Sequence, residues 1–413
     1  MRVRFYTFGC KVNQYETQAL SALFAGKGHA VVRDGPAELF VLNTCTVTGQ
    51  SDHKAEKLLR RLRREYPDAL IALTGCLPQG APERAALMAE ADIVTGSTNR
   101  AGLPEAVEEF LRTGRRVVRI VPHRSDEPFE DLRIDRFEGH TRAFVKIQEG
   151  CDRGCAYCIV PRTRGPLRPN SPESLIRELE ALADSGYKEA VLVGINLALY
   201  GRGRGLRLTD AVDIACSVPG IRRVRLSSLE FDLVDRDDFG RMARQPKFCP
   251  HFHLPLQSGC DRTLARMGRR YTAADFHGAV AHIRQLFDNP ALSADIIAGF
   301  PGEDEAEFAE SLCFVQSLDL ADAHVFPFSP RETTPAAQMD GQLSAAVKNE
   351  RARSLTETVS ESRKRFLKSQ LGRAEPVLFQ RGGGGFTPNY TPVTVPAPPP
   401  SSPWSSTGRS CRF

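Results

Sequence analysis

Cys151, Cys155 and Cys158 fall within the ten residues "EGCDRGCAYC" at 149–158, with no fourth cysteine in easy reach. Thiolates at a Cys-x3-Cys-x2-Cys spacing suit zinc or an iron–sulfur cluster. A structural zinc site usually closes with four protein ligands. Here His251, His253 or Cys260 could complete one only by folding back. The other reading is a [4Fe-4S] cluster with one iron left open to a small molecule. Three more cysteines share a second pattern: "RVRFYTFGC" ends at Cys10, "LFVLNTC" at Cys45 and "ALIALTGC" at Cys76. One cysteine at a strand end reads as a small buried hydrophobe. Three in register point to a shared metal site.

These residues need elements to position them. Over 1–112, β-rich runs alternate with segments of helical spacing such as "SDHKAEKLLRRLRREYP", which predicts a doubly wound parallel sheet. In such a sheet the strands' carboxyl ends share one edge, so Cys10, Cys45 and Cys76 can converge. Residues 113–141 read as a charged linker carrying one strand, "RVVRIV". Over 142–371 the alternation resumes, with candidate strands "AFVKIQ", "EAVLVGIN", "RVRLSS", "HFHLPLQ", "SADIIAGF" and "AHVFPF". Six such units suggest a partial (β/α)6 barrel of the TIM type, with chemistry at the strands' carboxyl ends. The 151–158 loop follows the first of them. Residues 372–395 supply a few short strands, and the Pro/Ser-rich stretch 396–413 reads as a disordered tail.

Composition agrees with a soluble α/β protein: 41% hydrophobic, 25% charged and a net charge of +5. The longest apolar stretch, "AVLVGINLALY", is too short for a membrane span, and no signal-peptide pattern is visible, so a cytoplasmic location is expected. Eleven cysteines in such a chain read as metal or redox chemistry rather than disulfides. Cys216, Cys249, Cys313 and Cys411 have no partner pattern, and Cys260 reads as a serine-like replacement.

The 151–158 loop, with Tyr157 before the last cysteine, resembles the signature of the radical S-adenosylmethionine (SAM) enzymes. That resemblance implies a [4Fe-4S] cluster on Cys151, Cys155 and Cys158 whose open iron takes SAM. Narrower blocks, including "TFGCKVNQYE", "NTCTVT", "HLPLQSG", "DIIAGFPGE" and "FPFSPRETTPAAQM", resemble the methylthiotransferases over about residues 1–370. This implies a second cluster on Cys10, Cys45 and Cys76, and an enzyme using two [4Fe-4S] clusters and SAM. "GCKVNQYE" is most similar to the branch acting on N6-threonylcarbamoyladenosine beside the tRNA anticodon. The branches acting on isopentenyladenosine or on a ribosomal protein are the alternatives, and a zinc-stabilised RNA-binding protein without catalysis is the rival of another class. Partners implied are tRNA and a reducing electron-transfer protein, with the sulfur donor unidentified.

For the SAM site, position after the barrel strands nominates Gly194, Asn196, Ser228, Gln257 and Asp295, with Tyr157 against the adenine. The bland alternative for each is a satisfied strand-end polar group. Basic clusters at 60–64, 201–207, 268–270 and 362–368 could meet phosphates or simply be solvated helix faces. The family usually ends in a small RNA-gripping β-barrel of the TRAM type, of which only a remnant is expected here.

Overall fold

The computed structural model describes residues 1–134, 139–380 and 383–395 and the backbone of 409–412. Its first layer is a six-stranded sheet. β1 (Arg2–Thr7), β2 (Ala30–Val32), β3 (Leu39–Thr44), β4 (Leu70–Gly75), β5 (Ile93–Thr95) and β6 (Val117–Arg119) run parallel in the order β2-β1-β3-β4-β5-β6. Strand periodicity sends alternate residues of β3 into different cores. Leu39 and Val41 meet the helices Lys11–Gly26 and Leu103–Thr113, while Phe40 and Leu42 meet the helix Gly49–Glu65. Helices therefore cover both faces, as a doubly wound sheet requires. The boundary expected at 112 falls inside a helix, and the strand expected in the linker joins this sheet as β6.

Six parallel strands form the second unit. β7 (Ala143–Glu149) carries a short antiparallel strand, β8 (Arg168–Pro169), on its free edge. Beyond β7 come β9 (Glu189–Gly194) and β10 (Arg223–Leu226), then β11 (His251–Gln257), β12 (Ala291–Ala298) and β13 (Asp322–Pro327). Parallel bridges Val224–Phe248 and Ser228–His253 join β10 to β11, so the arc β7-β9-β10-β11-β12-β13 is continuous. All six expected strands are present and form the partial (β/α)6 barrel. Val12, Tyr15 and Ala19 of helix Lys11–Gly26 enter the barrel's core, locking the two units together.

At the chain's end, β14 (Ala374–Phe379), β15 (Gly384–Phe386), β16 (Pro392–Thr394) and β17 (Arg409–Arg412) form a small antiparallel sheet. It sits at the amino ends of the barrel strands. Arg223 at the start of β10 donates to the Phe386 carbonyl at 3.0 Å, and Arg142, just before β7, donates to the Tyr390 hydroxyl at 3.0 Å. Of the tail expected to be disordered, 396–408 and 413 lie outside the described residues, while the backbone of 409–412 pairs with β14.

Candidate active site: two three-cysteine loops joined by an arginine

Cys10, Cys45 and Cys76 each follow the carboxyl end of a strand, on three neighbours, β1, β3 and β4. Register holds Cys45 and Cys76 side by side, because Thr44 pairs with Gly75. Gly9 brings Cys10 to them. Its φ is +108°, and a Cβ there would stand 2.5 Å from the Cys45 Cβ, so only glycine lets the chain pass. Cys10 then stands at the N-cap position of the helix Lys11–Gly26. Cys45 and Cys76 are buried, and no disulfide joins any of the three. Burial pushes the Cys45 thiol up to about 12, and Cys76 beside it adds to the effect.

The second loop begins at Gly150, after β7. Its φ is +77°, and a Cβ would land 1.8 Å from the Pro166 carbonyl oxygen. The loop is clamped from two sides: Ala156 donates its N–H to Met267 O at 2.9 Å and accepts from Ala336 N at 2.8 Å. Burial pushes the Cys158 thiol up to about 12 and the Cys151 thiol up as well.

Each cysteine set has one guanidinium on a sulfur. Arg164 Nε donates to Cys76 Sγ at 3.1 Å, and Arg269 Nη1 donates to Cys155 Sγ at 3.4 Å. Arg164 ends the helix Val160–Arg164, which begins two residues after Cys158, so the element leaving one loop supplies the donor to the other. Behind it lies a buried ion network. Arg164 and Arg100 (2.8 Å) pair with Glu16, Arg164 also meets Glu149 at 3.2 Å, and Lys146 meets Glu149 at 3.0 Å. Although burial works against it, Lys146 and Arg164 hold the Glu149 carboxyl well below the usual range. Arg269 is held by Glu230, which Arg153 meets at 3.5 Å. Arg269 belongs to the 268–270 cluster expected to meet phosphates or solvent, but it is buried on Glu230 and Cys155 instead.

The nominated SAM-site residues divide. Asn196 lies over the radical loop: its Nδ2 is 3.8 Å from Cys151 Sγ, and its buried Oδ1 has no hydrogen-bond partner among the described residues. Gly194 ends β9, where a Cβ would sit 3.1 Å from the Gln148 Cβ. Gln257 ends β11 at a register shift, with φ +67°. Tyr157 stands edge-on to Phe300 in a small apolar cluster with Met267 and Phe328. Ser228 is exposed just past β10. Asp295 needs correction: it stands inside β12, three residues short of the strand's end, because the strand runs on to Ala298. There it accepts from His253 Nε2 at 3.1 Å and His324 Nδ1 at 3.2 Å. Despite burial, those two imidazoles hold its carboxyl far below the ordinary range. Cys260 is buried, its Sγ 3.2 Å from Glu310 Oε2 as a hydroxyl could be.

Two sets of three thiols, with Cys45, Cys76 and Cys155 buried and Cys10 exposed, each with a guanidinium donor on one sulfur and no fourth thiol beside it among the described residues, fit iron–sulfur clusters with an open iron. The model of the Radical SAM superfamily matches residues 145–315, and that of Uncharacterized protein family UPF0004 matches 2–96. Threonylcarbamoyladenosine tRNA methylthiotransferase MtaB of Bacillus subtilis (strain 168) is 37% identical over 359 residues, 86% of this chain and 79% of that one. The chain belongs to the radical SAM tRNA methylthiotransferases. The enzyme is also 35% identical to the MtaB of Thermotoga maritima, over 92% of this chain and 86% of that one. The tRNA-2-methylthio-N(6)-dimethylallyladenosine synthase of Symbiobacterium thermophilum is likewise 35% identical, over 92% of this chain and 84% of its own. Among solved structures, the radical SAM methyltransferase TsrM from Kitasatospora setae shares the fold, with a TM-score of 0.62 at 14% identity over 81% of this chain and 73% of that one. As a member of its family, the enzyme is a transferase that works with SAM and two [4Fe-4S] clusters. No helix among the described residues is long and apolar enough to cross a membrane.

Proposed function

We propose that this enzyme converts N6-threonylcarbamoyladenosine beside the tRNA anticodon to its 2-methylthio derivative. The observation that carries the reading is the pairing of two open three-thiol sites through Arg164, in a chain more than a third identical to a named threonylcarbamoyladenosine enzyme over most of its length. Cys151, Cys155 and Cys158 hold the cluster that binds SAM, and Cys10, Cys45 and Cys76 hold the one that carries the sulfur to be transferred. Bound together, cluster and SAM supply a carbon-centred radical that activates an otherwise inert C–H bond. The chain's own residues orient the parts and exclude water. Asn196 offers its unpaired Oδ1 to a SAM donor group, Gly194 and Gln257 shape the backbone around it, and Tyr157 closes an apolar wall. A reducing electron-transfer protein and a sulfur source complete the reaction, in the cytoplasm where tRNA is modified.

Substrate choice turns on charge. A threonylcarbamoyl group carries a carboxylate and an isopentenyl group does not. Lys11, next to Cys10, has no ion pair among the described residues; burial, and after it the like charges of Arg142 and Arg225, lower its ammonium from the usual value, with Asp295 opposing them, so an added anion would steady its charge. An ammonium so placed suits an anionic substituent. The test is mass spectrometry of tRNA nucleosides from a strain lacking the activity, complemented with this chain. The 2-methylthio-threonylcarbamoyl nucleoside is expected, and Lys11→Gln should lower its yield about tenfold or more. Its absence despite loaded clusters would overturn the substrate, and 2-methylthio-isopentenyladenosine in its place would select the alternative.

A further inference from the structure

One cleft lies outside the cysteine machinery. It has a volume of about 580 Å³ and runs between the end of β1 and the helix Gly49–Glu65. Its floor is apolar and partly aromatic: Tyr6, Phe8 and Leu58 line it, each half-buried. Its rim is cationic. The helix turns Ala55, Leu59 and Leu62 into the core, so residues three and four apart on the far side form an exposed stripe. That stripe is Lys54, Lys57, Arg61 and Arg64, with Arg60 beside it, and all five line the cleft.

Part of this charge is balanced. Arg60 meets Glu56 at 3.4 Å and Arg61 meets Glu65 at 4.0 Å. Lys54, Lys57 and Arg64 have no ion pair or side-chain hydrogen bond among the described residues, which leaves three free cations around an aromatic floor. A solvated helix face accounts for the cations but not for the half-buried rings of Phe8 and Tyr6 between them, Tyr6 carrying the Arg4 guanidinium 4.9 Å from its ring centre. Apolar ring faces with lysine and arginine alongside are what an unpaired nucleotide needs, the base stacking on the ring and the phosphates meeting the ammonium and guanidinium groups. Location agrees. Phe8 stands two residues before Cys10, so the cleft opens on the sheet edge that carries the three strand-end cysteines.

We infer that this cleft binds an unpaired nucleotide of the RNA substrate, with Phe8 and Tyr6 stacking its base and Lys54, Lys57 and Arg64 holding the adjoining phosphates. The inference rests on the tRNA reading above. Its test is fluorescence anisotropy of an anticodon stem-loop on the reconstituted full-length chain across a salt series. The triple variant K54Q/K57Q/R64Q should weaken binding at least about tenfold and reduce the slope of log K against log salt by about two, near 0.7 for each phosphate no longer neutralised. F8L, which keeps the apolar volume but not the ring, should weaken binding about fivefold or more with the slope unchanged. Iron content serves as the control for folding. A triple variant that binds with wild-type affinity and slope would overturn the phosphate contacts, and F8L binding like wild type would overturn the stacking. A wild-type chain that fails to bind the stem-loop at any salt would instead remove the tRNA reading, and the inference with it.

Discussion

At the scale of single residues, two arginines set this site apart from a bare set of thiols. Arg164 on Cys76 and Arg269 on Cys155 each place a hydrogen bond and a positive charge on one sulfur. Both stabilise the more negative, reduced state of a cluster held there. Removing either should therefore make the corresponding cluster harder to reduce. R164Q is expected to shift only the potential of the Cys10–Cys45–Cys76 cluster downward, and R269Q only that of the other, in a titration followed by electron paramagnetic resonance. Unchanged potentials would show that the guanidinium groups serve folding alone. Neither arginine was legible in the sequence as a partner of sulfur. The contacts span 88 and 114 residues, and "GRR" at 268–270 read as a phosphate contact or a solvated face until the fold brings Arg269 to Cys155.

At the scale of elements, period and punctuation carried most of the information. All six barrel strands stood out as apolar runs, and the three strand-end cysteines announced one edge of a parallel sheet. What pattern did not show was partners. Asp295 was nominated among strand-end polar groups, yet it stands within β12, whose last residue is Ala298, between His253 and His324. The helix Pro172–Asp184 held another feature hidden from pattern. Its Glu178 is 1% exposed and packs near Tyr15 of the helix that follows Cys10. The Tyr15 hydroxyl donates to the Leu132 carbonyl, and among the described residues neither Glu178 oxygen has a hydrogen-bond partner. Burial accordingly raises this carboxyl to about 8. Between about pH 4.5 and 8 the folded chain holds a proton here that the unfolded chain releases, so stability falls as pH rises through that window. Urea melts at pH 6 and pH 9 should show a loss, on the order of 2–4 kcal/mol, that E178Q largely abolishes. An equal loss in both proteins would place the titrating group elsewhere.

At the scale of the whole molecule, the first sheet unit and the barrel are fastened through charge as well as through the apolar residues Val12, Tyr15 and Ala19. Glu16 and Arg100 come from the first, Lys146, Glu149 and Arg164 from the second, and together they form one buried network behind both cysteine sets. A pair of this kind is costly to break, because removing one member strands its partner in the interior. The same bracing keeps the two open sites in fixed relation, and that relation is what the transfer of sulfur to a radical-activated carbon requires. On the outer side of the first unit, the cleft at Phe8 gives RNA a path toward the same edge. Each cysteine set is expected to hold its own [4Fe-4S] cluster. The most direct measurement is iron content with Mössbauer spectroscopy on chain reconstituted without oxygen, beside the variants C151A/C155A/C158A and C10A/C45A/C76A. The wild type should bind about eight irons as two [4Fe-4S] clusters and each variant about four as one. Bound zinc, or a single cluster in the wild type that only one of the two variants loses, would contradict it.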